Sequence, residues 1–190
     1  VGLVGVILSL VLGVLLGGIS GYFGGRADML IQRIIEVLRS VPRIPLWMGL
    51  SAAVPLTWPP VQTYFAITLV LAVVGWTSVS RVVRGRILAL REEDYVIVRH
   101  LVPAMTSHLI ASLTLAVPGM ILGETSLSFL GLGLRPPVIS WGVMLRGGQA
   151  LHVLADSPWQ ALVPAVFVIV TVLAFNFVGD GLRDAADPYS

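Results

Sequence analysis

The chain of 190 residues contains no cysteine and no lysine, and only 12% of it is charged. Without cysteine there is neither a disulfide nor a thiolate metal site, and the redox compartment leaves no trace. Without lysine the GxxxxGK[ST] loop that cradles nucleotide phosphates cannot be built. If ATP hydrolysis of that kind drives this protein, another chain performs it. Twelve arginines against ten acidic residues leave a formal net charge of +2. That balance, even at a pI near 9.5, is no nucleic-acid signal, and no nucleic-acid partner is expected. The chain also lacks an initiator Met and a charged leader. Val1 lies directly in an apolar run, which is not a signal peptide and predicts a longer protein with a further span before it.

What is present is apolar: 56% of the residues are hydrophobic and the mean hydropathy is +0.93. Soluble domains carry about a quarter charged residues, so this chain reads as an all-α, polytopic membrane protein. A helix needs about 20 apolar residues to cross the hydrocarbon core. Val1 to Gly25 supplies a first span. Gly5, Ser9, Gly13, Gly17, Gly21 and Gly25 recur along it at every fourth position, a stripe on which another helix backbone can pack closely. Asp28 to Arg43 is amphipathic, with Arg33, Glu36, Arg39 and Arg43 on one face, as an interfacial helix with snorkelling arginines would be.

Ile44 to Ser80 is free of charge but too long for one span, and Pro55-Leu-Thr-Trp58-Pro59-Pro60 divides it. The expectation is a second span that starts within the amphipathic stretch and ends near Val54, then a third from about Val61 to Ser80. Arg81 to Pro103 is a polar connection with five arginines, and Pro103 to Gly123 is a fourth span, with Pro103 suited to a first helical turn. Residues 132–158 form a loop with Trp141 and Trp159 near its ends, Ser157 to Gly179 is the fifth span, and a polar tail follows. With the connections after spans one and three on the cytoplasmic side, ten of the twelve arginines lie inside, in keeping with the positive-inside rule. The 132–158 loop is then extracytoplasmic.

Several stretches, in order along nearly the whole chain, resemble the C-type permease subunit of bacterial ABC importers for dipeptides and oligopeptides. They are Gly21-Tyr-Phe-Gly-Gly25, Gly75-Trp76 with Arg81-Val-Val-Arg-Gly85, Leu90-Arg-Glu-Glu-Asp-Tyr95 and Arg99-His-Leu-Val-Pro103. Gly123-Glu-Thr-Ser-Leu-Ser-Phe-Leu-Gly-Leu-Gly133, Ser140-Trp-Gly142 and Asn176-Phe-Val-Gly-Asp-Gly-Leu-Arg-Asp184 with Asp187-Pro188 complete the set. The resemblance implies a multi-pass subunit of the bacterial inner membrane, one of six helices, with no catalysis and no cofactor of its own. It implies pairing with a homologous second permease, two ABC ATPase subunits that hold ATP and Mg, and an extracytoplasmic binding protein that delivers the peptide. Another small solute such as nickel is the alternative cargo within the family.

The resemblance places ATPase coupling on residues 81–103, with Arg91, Glu92, Glu93, Asp94, Tyr95, Arg99, His100 and Pro103 as its contact residues. A departure falls in the same place. The family follows Asp-Tyr-Val with small residues, a Gly and a turn before Arg-His-x-x-Pro, whereas here Tyr95-Val-Ile97 runs straight into Val98-Arg99-His100. The expectation is that the central coupling helix is missing at the Ile97–Val98 junction.

Other polar residues carry rival readings. Glu124 stands at the edge of the fourth span, either lining the path or hydrogen-bonded at the outer edge to Thr125, Ser126 or the backbone. As a proton site it would suit a secondary transporter instead. Gly18-Ile-Ser20-Gly21 has the GxSG form of an intramembrane serine protease, with His108 as a conceivable base; a four-residue match in a glycine-rich helix arises easily by chance. His108 otherwise reads as a packing residue, and His100 and His152 lie in loops without metal-ligand spacing. Asn176, Asp180, Arg183 and Asp184 form a polar cluster at the cytoplasmic end of the last span, a contact for a partner subunit or a solvated helix end.

Overall fold

The computed structural model describes residues 2–91 and 102–185, with side chains for 2–89, 112–182, 184 and 185. The described residues form eight α-helices and no strand: α1 (Gly2–Phe23), α2 (Gly25–Ser40), α3 (Arg43–Ala52), α4 (Pro60–Arg91), α5 (Val102–Phe129), α6 (Trp141–Gly148), α7 (Leu151–Asp156) and α8 (Trp159–Ala185). Among them, Gly2–Phe23, Pro60–Ala89 and Trp159–Leu182 are long and apolar enough to cross a membrane. α5, with 28 residues, is longer than a bilayer core requires but carries Glu124 and a Ser/Thr-rich end.

The centre is α1 laid along α4, the most extensive helix pair in the molecule. Ser9, Gly13, Gly17 and Gly21 on α1 are buried, whereas Leu3, Ile7, Val11, Leu15 and Ile19 on its other side are exposed. Because the small residues add almost no thickness, the α4 backbone comes very close: a Cβ at Gly17 would lie 2.5 Å from the Ser80 carbonyl oxygen. Gly25 departs from the expected stripe. It lies beyond α1, at φ 52°, with nothing within 4 Å of the position a Cβ would take. Gly24, at φ 62°, shares the positive dihedral, so the two glycines turn the chain from α1 into α2 through a region that L side chains avoid.

α2 buries Ile31 and Ile35, one helical turn apart, against Trp76 of α4, with Leu12, Leu16 and Leu38 packed around them. Its charged residues Arg33, Glu36 and Arg39 remain exposed. The helix stops at Val41, which is extended (φ −92°, ψ 134°) because the ring of Pro42 crowds the α conformation of the residue before it. The expected second span is therefore not one helix. α3 has ten residues, about 15 Å of rise and half a hydrocarbon core. Trp47 and Met48 of α3 pack on the cluster of Val6, Ile67, Leu71, Val117, Met120 and Leu127 that joins α1, α4 and α5.

Two further boundaries differ from expectation. Residues 81–91 are not a loop but the continuation of α4, a 32-residue helix about 48 Å long. Val79 and Val83 are buried, with Ile87 packed beside them against α1, and this four-residue spacing extends the helix through the arginines. α5 likewise runs past Glu124 to Phe129 and ends in a turn at Gly131 (φ 80°). There the Leu132 and Gly133 amides both donate to the Leu127 carbonyl at 2.9 Å, capping carbonyls that the helix leaves open.

The stretch 132–158 holds α6 and α7 rather than an irregular loop. Ser140 caps α6, its Oγ accepting from the Val143 amide at 3.2 Å. α6 packs between α5 and α8. α8 exposes Leu162, Val166, Phe167, Ile169, Val170 and Leu173, the apolar outer surface expected of a helix that meets lipid or another subunit.

Candidate functional site

Two polar constellations stand out from the apolar body. The first joins α1, α2 and α4 near the C-terminal end of α4. Arg84 donates from Nε to Asp28 Oδ1 and from Nη2 to Asp28 Oδ2, each at 2.6 Å. Ser20 Oγ donates to the same Oδ1, and Gln32 Nε2 donates to Ser20 Oγ at 3.1 Å. Asp28 lies in the first turn of α2, where a negative charge also suits the helix dipole. The Arg84 hydrogen bonds hold the Asp28 carboxyl below its ordinary pKa; burial opposes this, and the Ser20 hydrogen bond and the Arg84 charge assist it. Residue spacing did not single out this pair, which is separated by 56 positions.

The same network corrects the protease reading. Ser20 is fully buried, its hydrogen points to a carboxylate, and its oxygen accepts from Gln32. A nucleophile needs access to substrate as well as a base; among the described residues Ser20 is closed off from both solvent and substrate. The side chain of His108 lies outside the described residues.

The second constellation surrounds Glu124 on α5. Glu124 is 9% exposed, and Oε1 accepts from Ser128 Oγ at 2.7 Å. Ser128 Oγ in turn accepts from the Leu134 amide at 2.9 Å. The expected partners were Thr125, Ser126 or the backbone; the partner observed is Ser128, one turn further on. The Leu134 bond is made only because the Gly131–Gly133 turn folds the chain back over α5. Glu124 lines a cavity of about 390 Å³ with Tyr64, Leu134, Ser140, Trp141 and Met144 among its walls. A second cavity, of about 230 Å³, lies between the α3–α4 connection and residues 132–138.

Glu92, Glu93, Asp94, Tyr95, Arg99 and His100 lie outside the described residues, as does the Ile97–Val98 junction. Arg91 ends α4 and Pro103 is the second residue of α5, so the two helices lie on either side of residues 92–101. Asn176 and Asp180 lie one turn apart on α8 and are half-buried and exposed, respectively. Arg183 and Asp184 belong to the last turn of that helix, with Asp184 exposed. Among the described residues no cluster of three His, Asp or Glu side chains is arranged to hold a metal ion.

Comparison with known proteins supplies what geometry alone does not. Residues 13–189 match the family model described as "Binding-protein-dependent transport system inner membrane component". The chain is 36% identical over 201 residues to the "Oligopeptide transport system permease protein OppC" of Bacillus subtilis, a match covering 99% of this chain and 63% of that protein. It is 37% identical to the protein of the same description in Haemophilus influenzae, covering 62% of it. It is also 37% identical to the "Dipeptide transport system permease protein DppC" of Bacillus subtilis, covering 61% of it. The chain thus spans about three-fifths of the length of these relatives.

Proposed function

The chain belongs to the family of binding-protein-dependent transport system inner membrane components, and on that premise we propose that it is the permease subunit of an ATP-driven importer of di- or oligopeptides. The observation that carries this reading is the match itself, which runs through 99% of the chain to relatives described as oligopeptide and dipeptide permeases. Three helices fit to cross a membrane agree with it. In this reading the chain catalyses nothing. ATP and Mg belong to two ATPase subunits, a homologous second permease completes the path, and an extracytoplasmic binding protein supplies the peptide. The relatives do not favour a proton-driven transporter or a protease.

The mechanism this architecture supports is mechanical. A soluble ATPase can drive the membrane body only through contacts that differ between its nucleotide states. The cytoplasmic stretch framed by α4 and α5, with Arg91, Glu92, Glu93, Asp94 and Tyr95 at its start, is the surface for those contacts. Motion there passes along α4, and through the Arg84–Asp28 bridge into α2.

Affinity purification of the full-length protein from its native host tests the reading. ATPase subunits and a second permease should accompany it. The assembly should take up peptide only with ATP and the binding protein present, and nickel should not compete. A chain that purifies alone and moves peptide without ATP would defeat the proposal. Uptake of nickel in place of peptide would leave the importer standing and change its cargo.

A further inference from the structure

The cavity beside Glu124 combines features that together select a ligand chemistry. Its volume of about 390 Å³ falls within the range of about 300–1,000 Å³ usual for small-ligand pockets. Its walls are apolar or aromatic apart from a few polar groups, and Glu124 is the one acidic or basic side chain among them. That carboxylate is nine-tenths buried and has Ser128 as its hydrogen-bond donor, with no cationic partner, among the described residues. Ser128 receives the Leu134 amide on its oxygen, and its own proton is directed to Glu124 Oε1. The second oxygen, Oε2, remains for a ligand.

A buried carboxylate without a cation is costly, and a ligand cation relieves that cost. Two aromatic residues favour the same kind of ligand. Tyr64 and Trp141 share the cavity, and Trp141 stacks with Phe167 at 6.5 Å between centroids and 18° between planes. Aromatic faces attract ammonium groups. A divalent metal is disfavoured, because one carboxylate supplies too few hard ligands.

We propose that this cavity binds a primary ammonium group, and specifically the N-terminal ammonium of the transported peptide, with Glu124 as its counter-ion and Ser128 as the positioning residue. The proposal rests on the peptide-permease reading and adds to it a contact on the permease itself. An aminophospholipid headgroup carries the same ammonium and is the competing source.

The test uses the complete transporter, with second permease, ATPase subunits and binding protein, in vesicles of phosphatidylglycerol and phosphatidylcholine. Uptake is measured for a free tripeptide and for its analogue with a hydroxyl in place of the N-terminal amine. The binding protein's own preference is the same for every permease variant and cancels when the ratios are compared. Glu124→Gln keeps the size of the side chain and an oxygen for Ser128, removing only the charge. It should lower free-peptide uptake about tenfold, the scale of one charge-assisted hydrogen bond, and leave the analogue within about twofold. Glu124→Asp should restore most of the loss. As a second measurement, a peptide with a photoreactive first residue should label segment 134–144 in the unmodified protein and not in the Gln variant.

Equal loss for both substrates together with unchanged labelling, or no loss at all, would overturn the proposal. A loss that appears only when phosphatidylethanolamine is added would assign the ammonium to lipid and overturn the peptide assignment. If the unmodified transporter moved neither substrate, the peptide-permease reading would fail at its base, an outcome distinct from failure of the site.

Discussion

Arg84 grips Asp28 with two parallel hydrogen bonds, Nε to one carboxylate oxygen and Nη2 to the other, both 2.6 Å long. This planar fork requires the guanidinium geometry, which a lysine cannot supply. It ties α2 to α4 at a place where each is also packed on α1. Replacing Arg84 by Lys should therefore loosen α2 almost as much as Arg84→Ala, at a cost of about 1–2 kcal/mol because the pair is partly solvated. Limited proteolysis within residues 25–40 would report the loosening. Wild-type resistance in Arg84→Lys would show that simple charge suffices.

Acid should release the same tie. Because the folded protein holds Asp28 below its ordinary pKa of 3.8, folding favours the ionised form. The resulting stability is present in full above the unfolded value and disappears as pH falls through the lower folded value. No change from this group is expected between pH 7 and about pH 5. Comparing acid unfolding with Asp28→Asn, which lacks the titration, isolates the contribution. A loss confined to the range above pH 5 in the wild type would contradict the assignment.

The α1–α4 contact should tolerate no added atom at one glycine and accept one at its neighbour. A Cβ at Gly17 would sit 2.5 Å from the Ser80 carbonyl oxygen and 2.9 Å from its Cα, while one at Gly18 meets nothing within 4 Å. Gly17→Ala should cost about 1–3 kcal/mol by forcing two backbones apart, and Gly17→Leu should abolish assembly. Gly18→Ala should be neutral or stabilising by up to about 1 kcal/mol. Thermal stability of the purified assembly distinguishes the two; similar melting for Gly17→Ala and Gly18→Ala would mean that the helices do not pack in this way.

A similar contrast tests the wall of the Glu124 cavity. A Cβ at Gly142 would lie 2.5 Å from the Thr125 carbonyl oxygen and 2.6 Å from Ser128 Cβ, whereas Gly147 has open space. Gly142→Ala should push α6 off α5, disturb the Ser128–Glu124 bond and reduce peptide uptake several-fold. Gly147→Ala should leave uptake unchanged. Equal activity of the two variants would separate α6 docking from function.

Orientation is open to direct measurement, because the chain contains no cysteine. A single cysteine replacing Arg86 should react with a membrane-impermeant thiol reagent from the cytoplasmic side, and one replacing Trp58 from the other. The reverse pattern would remove the coupling assignment along with the topology.

The parts of the fold that were legible in the sequence are those governed by local repetition. Gly5 to Gly21 recur every fourth residue, and that spacing alone puts them on one helix face. Charges were a poorer guide. The arginines from Arg81 onward looked like a loop, but Val79, Val83 and Ile87 keep α4 helical by burying one stripe beneath them. The break at Val41-Pro42 was written in the proline, yet the demand for a full-length second span overrode it. Asp28 and Arg84 could not be matched from their own surroundings, since their meeting depends on how three helices pack. Glu124 was visible as an isolated carboxylate in an apolar stretch, whereas its pairing with Ser128 is set by a turn seven to nine residues further on.

The unbroken length of α4 has a further consequence. Its contacts with α1 run from Thr68, opposite Gly5, to Ile87, opposite Gly21, about 28 Å of rise. A helix held along one face over that length cannot pivot about a single residue. A displacement at the Arg91 end would carry α1 and α4 together, and Tyr64 in the wall of the Glu124 cavity would move in the same sense and by a similar amount.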